Sequence, residues 1–161
     1  MHDEACATYE DMIINMQLGH KFLHDNFGVQ PKIGWTIDPF GHSSTNARLF
    51  AEMGFDAVFL GRADYEDKNR RMNDESLEYI WRPSSRTLGT DVQIFTHILF
   101  DHYNQPKGFG FDPLSWEDKE KVFESQKAQK LLDNIDERAK HYQTDDILVL
   151  FGDDFQYMQA D

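Results

Sequence analysis

The stretch from Lys32 to Arg62, KIGWTIDPFGHSSTNARLFAEMGFDAVFLGR, decides the fold of the chain. It opens with the short apolar run Lys32 to Ile37 and closes with a second one, Ala57 to Leu60. Between these runs, the spacing predicts a helix over Ser43 to Met53, because a serine stands at its capping position and Gly54 follows its end. Apolar strands that alternate with helices are typical of a parallel sheet covered on both faces. We therefore predict an α/β fold with a parallel sheet.

The rest of the chain carries further helix and strand patterns. The pattern predicts a helix over Glu4 to Asn26 that stops at Gly28, and a capping-box pattern at Ser115 to Asp118 predicts the start of another. The charge-rich stretch Asp64 to Glu75 predicts a solvated loop. The helix predicted to start at Ser115 has an apolar stripe made by Ala128, Leu131, Leu132, Ile135 and Ala139. Three more strands are predicted, over Glu78 to Arg82, Gln93 to Phe100 and Ile147 to Phe151.

Composition and charge exclude several classes of protein. The 161 residues suffice for one domain or a part of one, and the 40% of apolar residues allow a real core. The 16 basic and 29 acidic residues give a net charge of −13, so bulk electrostatics will not hold nucleic acid or anionic lipid. No apolar run approaches the roughly 20 residues that span a bilayer, and the N-terminus shows no secretory signal pattern. Cys6 is the only cysteine, which excludes an internal disulfide and a cysteine-cage metal site.

Three of the predicted strands end in polar residues. Asp38 follows the first strand, Arg62 the second, and the pair Asp153-Asp154 the last. Because parallel sheets carry their chemistry at the carboxyl ends of the strands, two carboxylates and a guanidinium are predicted to converge on one sheet edge. Paired carboxylates perform glycoside hydrolysis, in which one attacks the sugar or activates water and the other protonates the leaving oxygen. An aspartate after a strand is also a common turn or helix-cap residue, so both interpretations stay open.

The histidines and the cysteine are weaker candidates. His20 and His24 have the four-residue spacing of two zinc ligands on a helix, but Lys21 stands where a metalloprotease helix needs glutamate. A solvated or core-lining pair is the better interpretation. His42 is open to several interpretations: a metal ligand, a base, a donor to a catalytic group, or a residue that fixes its loop by a hydrogen bond. Cys6 has no base placed near it and is predicted to be a buried or incidental thiol.

Three segments resemble glycoside hydrolase family 38, the retaining α-mannosidases. The first is Gly34 to Lys68, GWTIDPFGHSSTNARLFAEMGFDAVFLGRADYEDK, which contains the family's specific DPFGHS motif. The others are Met1 to Ala5, MHDEA, and Gly152 to Tyr157, GDDFQY. Within the first segment, Arg62 to Lys68, RADYEDK, points to the lysosomal-type branch of the family. The resemblance covers nearly the whole chain, in order and at compatible spacings.

The resemblance implies roles for particular residues. Asp38 would be the nucleophile and a ligand of the family's zinc, and Asp154 would be the general acid/base. Phe40 would line the sugar subsite, Arg62 would orient the nucleophile, and Tyr103 would belong to the substrate pocket. The resemblance also implies that the parallel sheet is part of a seven-stranded (β/α) barrel. In the double displacement of retaining enzymes, the nucleophile must start ionised and the acid must start protonated.

The resemblance further predicts what surrounds the chain. Residues 1–161 are expected to be one partial domain, the central part of the α-mannosidase catalytic barrel. The family's His-x-Asp zinc ligands are expected upstream of Met1 and a further zinc histidine downstream of Asp161, so the isolated chain is expected to bind zinc weakly or not at all. The expected substrates are mannose-containing oligosaccharides and glycoproteins of the N-glycan type. The expected location is the lysosome or the secretory pathway.

Two other functions are compatible with the sequence. A sugar deacetylase-like metal hydrolase would need two histidine ligands on neighbouring strands, for which His97 and His102 are the local candidates. Alternatively, the chain is a non-catalytic or inactive truncated fragment, because Asp38 alone matches a zinc ligand of the family. A zinc analysis combined with an aryl α-mannoside assay would separate the three interpretations.

Overall fold

A computed structural model of the protein describes residues 1–3, 5–107, 109, 125–154 and 156–157. The chain divides into two compact units. The first unit, which we call the sheet unit, consists of Met1–Ala63 and Glu78–Ile98. The second unit consists of Asp64–Leu77 and Leu99–Asp161. The assignment of residues 1–161 to one partial domain of a barrel stays a prediction.

The described part of the chain contains helices and short strands. In chain order they are α1 (Tyr9–Phe27), β1 (Ile33–Thr36), α2 (Ser44–Glu52), β2 (Ala57–Leu60), α3 (Tyr65–Asn73), β3 (Glu78–Trp81), α4 (Ser85–Leu88), β4 (Ile94–Ile98) and α5 (Ser125–Ala139). Helices α3 and α5 belong to the second unit, and all the other elements belong to the sheet unit. Among the described helices, none combines the length and the apolar character that a membrane crossing requires.

The strands form one mixed sheet of four, in the order β1-β2-β4-β3. Strands β1, β2 and β4 are parallel, whereas β3 runs antiparallel to β4 and places Glu78 opposite His97. The predicted α/β class is confirmed, and so is the parallel arrangement of the strands that flank α2. The expectation of a parallel sheet is wrong for β3, because an apolar run predicts a strand but carries no information about its direction. The seven-stranded barrel stays a prediction.

Helix α2 covers one face of the sheet. Its Phe50 side chain is 1% exposed and lies against Gly34 of β1, where an added Cβ atom would stand 3.0 Å from the Phe50 ring. Val58 and Leu60 of β2 and Ile98 of β4 are buried as well. The apolar side of α2, which connects β1 to β2 in the chain, therefore packs on the sheet.

The predicted helices differ from the observed ones mainly at their starts. Helix α2 confirms the helix predicted from Ser43 onward, because the Ser43 hydroxyl caps its first turn. Helix α1 begins at Tyr9 rather than at Glu4, since the Thr8 hydroxyl caps it by accepting a backbone hydrogen bond. Its predicted end is confirmed, with Gly28 in the left-handed conformation at φ 67°.

The loop predicted over Asp64 to Glu75 is wrong, because most of it forms α3. The Asp64 carboxylate caps this helix by accepting hydrogen bonds from the first backbone N–H groups. Asp67 then pairs with Arg70 at 2.6 Å and with Arg71 at 2.7 Å. Opposite charges three and four residues apart stabilise a helix, so the charge density that indicated solvent exposure also supports the helix.

The strand predicted over Ile147 to Phe151 is also wrong. The segment has the apolar composition of a strand, but no strand pairs with it in the described part of the chain, and pairing is what defines a strand. Helix α5 carries the apolar stripe predicted for the last helix. The start predicted for that helix, at Ser115, lies outside the described residues.

Candidate active site

The first group of predicted site residues lies at the carboxyl ends of β1 and β2. These two strands are parallel and in register, with Thr36 beside Leu60, so the residues that follow them are neighbours. The Arg62 side chain donates two hydrogen bonds to the Asp38 carboxylate, from Nε at 2.7 Å and from Nη2 at 2.5 Å. Nε also lies 3.1 Å from the backbone oxygen of Asp38. The predicted convergence of Asp38 and Arg62 on one sheet edge is confirmed.

Gly61 explains how these two chain segments come so close. A Cβ atom at this position would lie 2.1 Å from the backbone oxygen of Ile37, which is far inside van der Waals contact. Only a residue without a side chain allows the end of β2 to touch the end of β1. This close contact depends on the pairing of the two strands, so the sequence alone does not indicate it.

His42 ties the loop after β1 to the end of β2. Its ring Nε2 lies 2.7 Å from the backbone oxygen of Arg62, so the ring donates a hydrogen bond to that carbonyl. Of the interpretations left open for His42, the structure shows the one in which the side chain fixes its loop. Since Arg62 in turn holds Asp38, the three residues form a chain of contacts from His42 to Asp38.

Phe40 lies in the same loop and is highly exposed. Its side chain is 87% exposed, and the guanidinium carbon of Arg62 stands 4.6 Å from the ring centroid. This distance is within the range of a cation–π interaction. A large exposed aromatic ring beside a carboxylate is the kind of surface on which the apolar face of a sugar can stack.

The second group of predicted site residues lies in the second unit. The Tyr103 hydroxyl donates a hydrogen bond of 3.2 Å to the Asp154 carboxylate, so these two predicted residues are brought together. Next to them, the Asn104 side-chain amide donates to the Asp153 carboxylate. The backbone N–H of Gln105 donates to the backbone oxygen of residue 152 at 3.1 Å. Residues 103–105 and 152–154 therefore run side by side.

One part of the strand-end argument is wrong. Asp153 and Asp154 do not follow a strand, because the apolar segment before them is unpaired in the described structure. They are placed instead by the hydrogen bonds from residues 103–105 and by one from the Asp154 N–H to the Asp153 carboxylate at 2.8 Å. The sequence analysis missed Asn104, because nothing in the sequence indicates which residues lie beside Asp153.

The described residues do not make a metal site. In residues 1–3, 5–107, 109, 125–154 and 156–157, no group of three or more histidine, cysteine, aspartate or glutamate side chains lies close enough to hold a metal ion. Zinc normally takes three or four protein ligands. A zinc site that includes Asp38 would therefore need further ligands from outside the described residues.

The remaining histidines have structural partners. The His20 ring packs 5.3 Å from the Phe55 ring and burial lowers its pKa, while His24 is exposed, so a solvated or core-lining pair is the correct interpretation. His97 is 4% exposed, and its Nδ1 lies 2.9 Å from the Glu78 carboxylate. Burial lowers the pKa of His97, and Glu78 acts in the opposite direction. His102 packs its ring 4.2 Å from that of Tyr103.

Comparison with known proteins gives consistent matches along the whole chain. The family model described as glycosyl hydrolases family 38 N-terminal domain matches residues 1–161. Lysosomal alpha-mannosidase of Dictyostelium discoideum is 44% identical over 167 residues, which cover 99% of this chain and 16% of that protein. Alpha-mannosidase of Canavalia ensiformis is 42% identical over 100% of this chain and 17% of its own length. Lysosomal alpha-mannosidase of Homo sapiens is 36% identical over 99% of this chain and 17% of its own length.

Proposed function

The chain belongs to glycosyl hydrolase family 38, and we propose that it supplies the two catalytic carboxylates of a retaining α-mannosidase, Asp38 and Asp154. The chain spans 16% of the length of the Dictyostelium relative, so the activity proposed is that of a full-length protein that contains it. The observation that carries the proposal is the contact between Asp38 and Arg62 at the ends of two parallel strands. This contact supports the proposal because it holds the Asp38 carboxylate in one orientation at an exposed edge of the sheet.

Asp38 is the proposed nucleophile. Its carboxylate attacks the anomeric carbon of the mannose and forms a glycosyl ester, while the bond to the leaving oxygen breaks. The two hydrogen bonds from Arg62 fix the direction of the carboxylate, and His42 fixes Arg62 through its backbone. Such positioning lowers the barrier because the reacting atoms do not have to be ordered in the transition state.

Asp154 is the proposed general acid and base. In the first step it gives its proton to the leaving oxygen, and in the second it takes a proton from the water that attacks the glycosyl ester. The ester then breaks, releasing Asp38 as a carboxylate and mannose with its original anomeric configuration. The Tyr103 hydroxyl, 3.2 Å from the Asp154 carboxylate, orients the group in both steps.

The proposed substrate is a glycan with terminal α-linked mannose, of the N-glycan type. The relatives named lysosomal alpha-mannosidase and alpha-mannosidase support the sugar, and the exposed Phe40 ring supports an aromatic subsite for it. The lysosomal relatives also support a lysosomal location. In the full-length protein, a zinc ion with Asp38 among its ligands would supply positive charge next to the sugar hydroxyls.

The test uses a chimera in which these 161 residues replace the matching segment of the Dictyostelium lysosomal alpha-mannosidase. We expect the chimera to hydrolyse an aryl α-mannoside and to release α-mannose first, as seen by NMR of the fresh product. Asp38→Asn should abolish turnover, because an amide cannot form the glycosyl ester. Asp56→Asn, at the other end of β2, is the matched control and should keep full activity.

Two results would contradict the proposal. Release of β-mannose as the first product would mean inversion rather than double displacement. Residual turnover of Asp38→Asn equal to that of Asp56→Asn would remove Asp38 from the nucleophile role. A folded but inactive wild-type chimera would favour the alternative in which this segment is non-catalytic.

A further inference from the structure

The second unit contains a buried arginine, one of whose N–H donors has no hydrogen-bond acceptor among the described residues. Arg138 of α5 is 3% exposed. Its Nε donates a hydrogen bond of 2.7 Å to the Asn134 side chain, and its guanidinium carbon lies 5.2 Å from the centroid of the Phe100 ring. Its Nη2 atom is buried and has no hydrogen-bond partner among the described residues. A buried charged donor without an acceptor is costly, so an acceptor is expected at this position.

Lys68 of α3 is a second cation near Arg138. Met72, one helical turn further along α3, contacts His141, and the Phe100 ring packs against both His141 and Arg138. No described residue accepts a hydrogen bond from its ammonium group. Burial lowers the pKa of Lys68, the charge of Arg138 lowers it further, and the charge of Asp101 opposes both. Burial also lowers the pKa of Arg138, and the charge of Asp101 opposes that effect. Among the described residues, the two cations therefore share one carboxylate, so positive charge is locally in excess in a chain of net charge −13.

The surroundings of the two cations are held in place by packing. The His141 ring stacks on the Phe100 ring at 5.3 Å and 21°, and its Nδ1 donates to the backbone oxygen of Met72 at 2.9 Å. Met72 lies one helical turn after Lys68 on α3, so the hydrogen bond from His141 joins α3 to the segment that follows α5. Glu137, which precedes Arg138 in the sequence, forms an ion pair with Lys140 at 2.6 Å.

We propose that Lys68 and Arg138 form a binding site for a small oxyanion, with inorganic phosphate as the ligand to test. Arginine presents several N–H donors in one plane that match the oxygens of such an anion, and lysine adds a compact charge. An anion suits the site better than a water molecule because it satisfies the free donor and also balances the excess charge. The site lies within the second unit and is independent of the proposed glycosidase activity.

The experiment is a calorimetric titration of the 161-residue chain with sodium phosphate, against sodium chloride of equal ionic strength. We expect one phosphate to bind per chain and to raise the melting temperature by circular dichroism. Lys68→Gln should weaken binding at least about tenfold, because a hydrogen bond to a charged group is lost. Lys130→Gln, an exposed lysine on α5, is the control and should bind phosphate as the original chain does.

Arg138→Gln should abolish phosphate binding. If Arg138→Gln does not fold, Lys68→Gln still tests the proposal. The proposal is overturned if phosphate gives no binding heat and no shift in melting temperature beyond that of chloride. It is also overturned if Lys68→Gln and Lys130→Gln bind phosphate equally well, because the anion would then bind elsewhere. Absence of binding is the result expected if a carboxylate of the protein already pairs with Arg138.

Discussion

The two proposed catalytic aspartates are held in different ways. Asp38 follows a strand of the sheet and accepts two hydrogen bonds from a charged donor, the Arg62 guanidinium. Asp154 follows a segment without strand pairing and accepts one hydrogen bond from a neutral donor, the Tyr103 hydroxyl. Two short hydrogen bonds from a guanidinium hold a carboxylate more firmly than one hydrogen bond of 3.2 Å from a hydroxyl. Asp38 is therefore the more firmly oriented of the two carboxylates.

This difference matches the proposed roles. A nucleophile forms one covalent bond along one direction, so a fixed orientation favours it. A general acid and base gives a proton to one oxygen and takes one from another, which asks for less rigid support. In the proposed roles, the sheet holds the nucleophile and the loop holds the group that transfers the proton.

Among the variants that test the difference between the two aspartates, Asp154→Ala in the chimera is expected to have the largest effect on turnover. Loss of proton transfer should reduce turnover of mannosides with poor leaving groups by about 10²–10⁴-fold. Activated aryl mannosides should lose much less, because their leaving groups depart without a proton. Measuring kcat/KM for both substrate types is the check. Equal losses on both types would remove Asp154 from the acid role.

Gly61→Ala should break the Asp38 region. The added Cβ meets the Ile37 backbone oxygen, which cannot move aside as a flexible side chain would, so we expect the chain to lose about 1–3 kcal/mol of stability. The matched control is Gly19→Ala in α1, where an added Cβ meets nothing within 4 Å. That variant should gain about 0.5–1 kcal/mol. Urea denaturation measures both, and a Gly61→Ala chain as stable as Gly19→Ala would show that the strand ends do not touch.

His42→Ala should have a smaller effect on the same region. Without the hydrogen bond to the Arg62 backbone oxygen, the guanidinium loses one of its supports, and we expect kcat of the chimera to fall about tenfold. His42→Gln keeps a side-chain N–H donor and should recover part of the activity. Ser43→Ala removes only the cap of α2 and should lower stability rather than kcat. An unchanged kcat in His42→Ala would contradict the positioning role.

The smallest predicted effect concerns the pH dependence of stability in the sheet unit. Because burial lowers the pKa of His97 below its ordinary value of about 6.5, the unfolded chain binds a proton more readily than the folded one. The free energy of unfolding should therefore fall as the pH is lowered below about 6.5, by no more than about 1.4 kcal/mol per pH unit for one proton. His97→Gln should flatten this slope. His20, whose pKa burial also lowers, maintains part of the slope in that variant. Equal slopes in His97→Gln and the original chain would contradict the assignment.

The Asp38 region could be predicted from the sequence because parallel strands joined by one helix are neighbours. Once Lys32 to Ile37 and Ala57 to Leu60 are identified as strands, Asp38 and Arg62 must meet. The hydrogen bond from His42 to the Arg62 backbone was one of several open interpretations, because the sequence does not show which way a ring points.

The Asp154 region was harder to predict, because no regular element positions it. Its apolar segment has the composition of a strand and forms none, and the residues that hold Asp154 lie about 50 positions earlier in the chain. Helix α3 was missed for a related reason. Charged residues predict solvent exposure, but only their three- and four-residue spacing, as between Asp67 and Arg71, reveals that they also stabilise a helix.

The strand order has a consequence for the timing of folding during synthesis. Strand β4 is the last of the described strands but lies between β2 and β3, so β3 has no partner in this sheet until the ribosome has made β4. Strands β1 and β2, by contrast, can pair around α2 as soon as Leu60 has emerged. Because chains fold from the N-terminus as they are made, the contact of Asp38 with Arg62 can form before Tyr103 and Asp154 exist. The proposed nucleophile can then already be in place when the proposed acid/base, Asp154, leaves the ribosome.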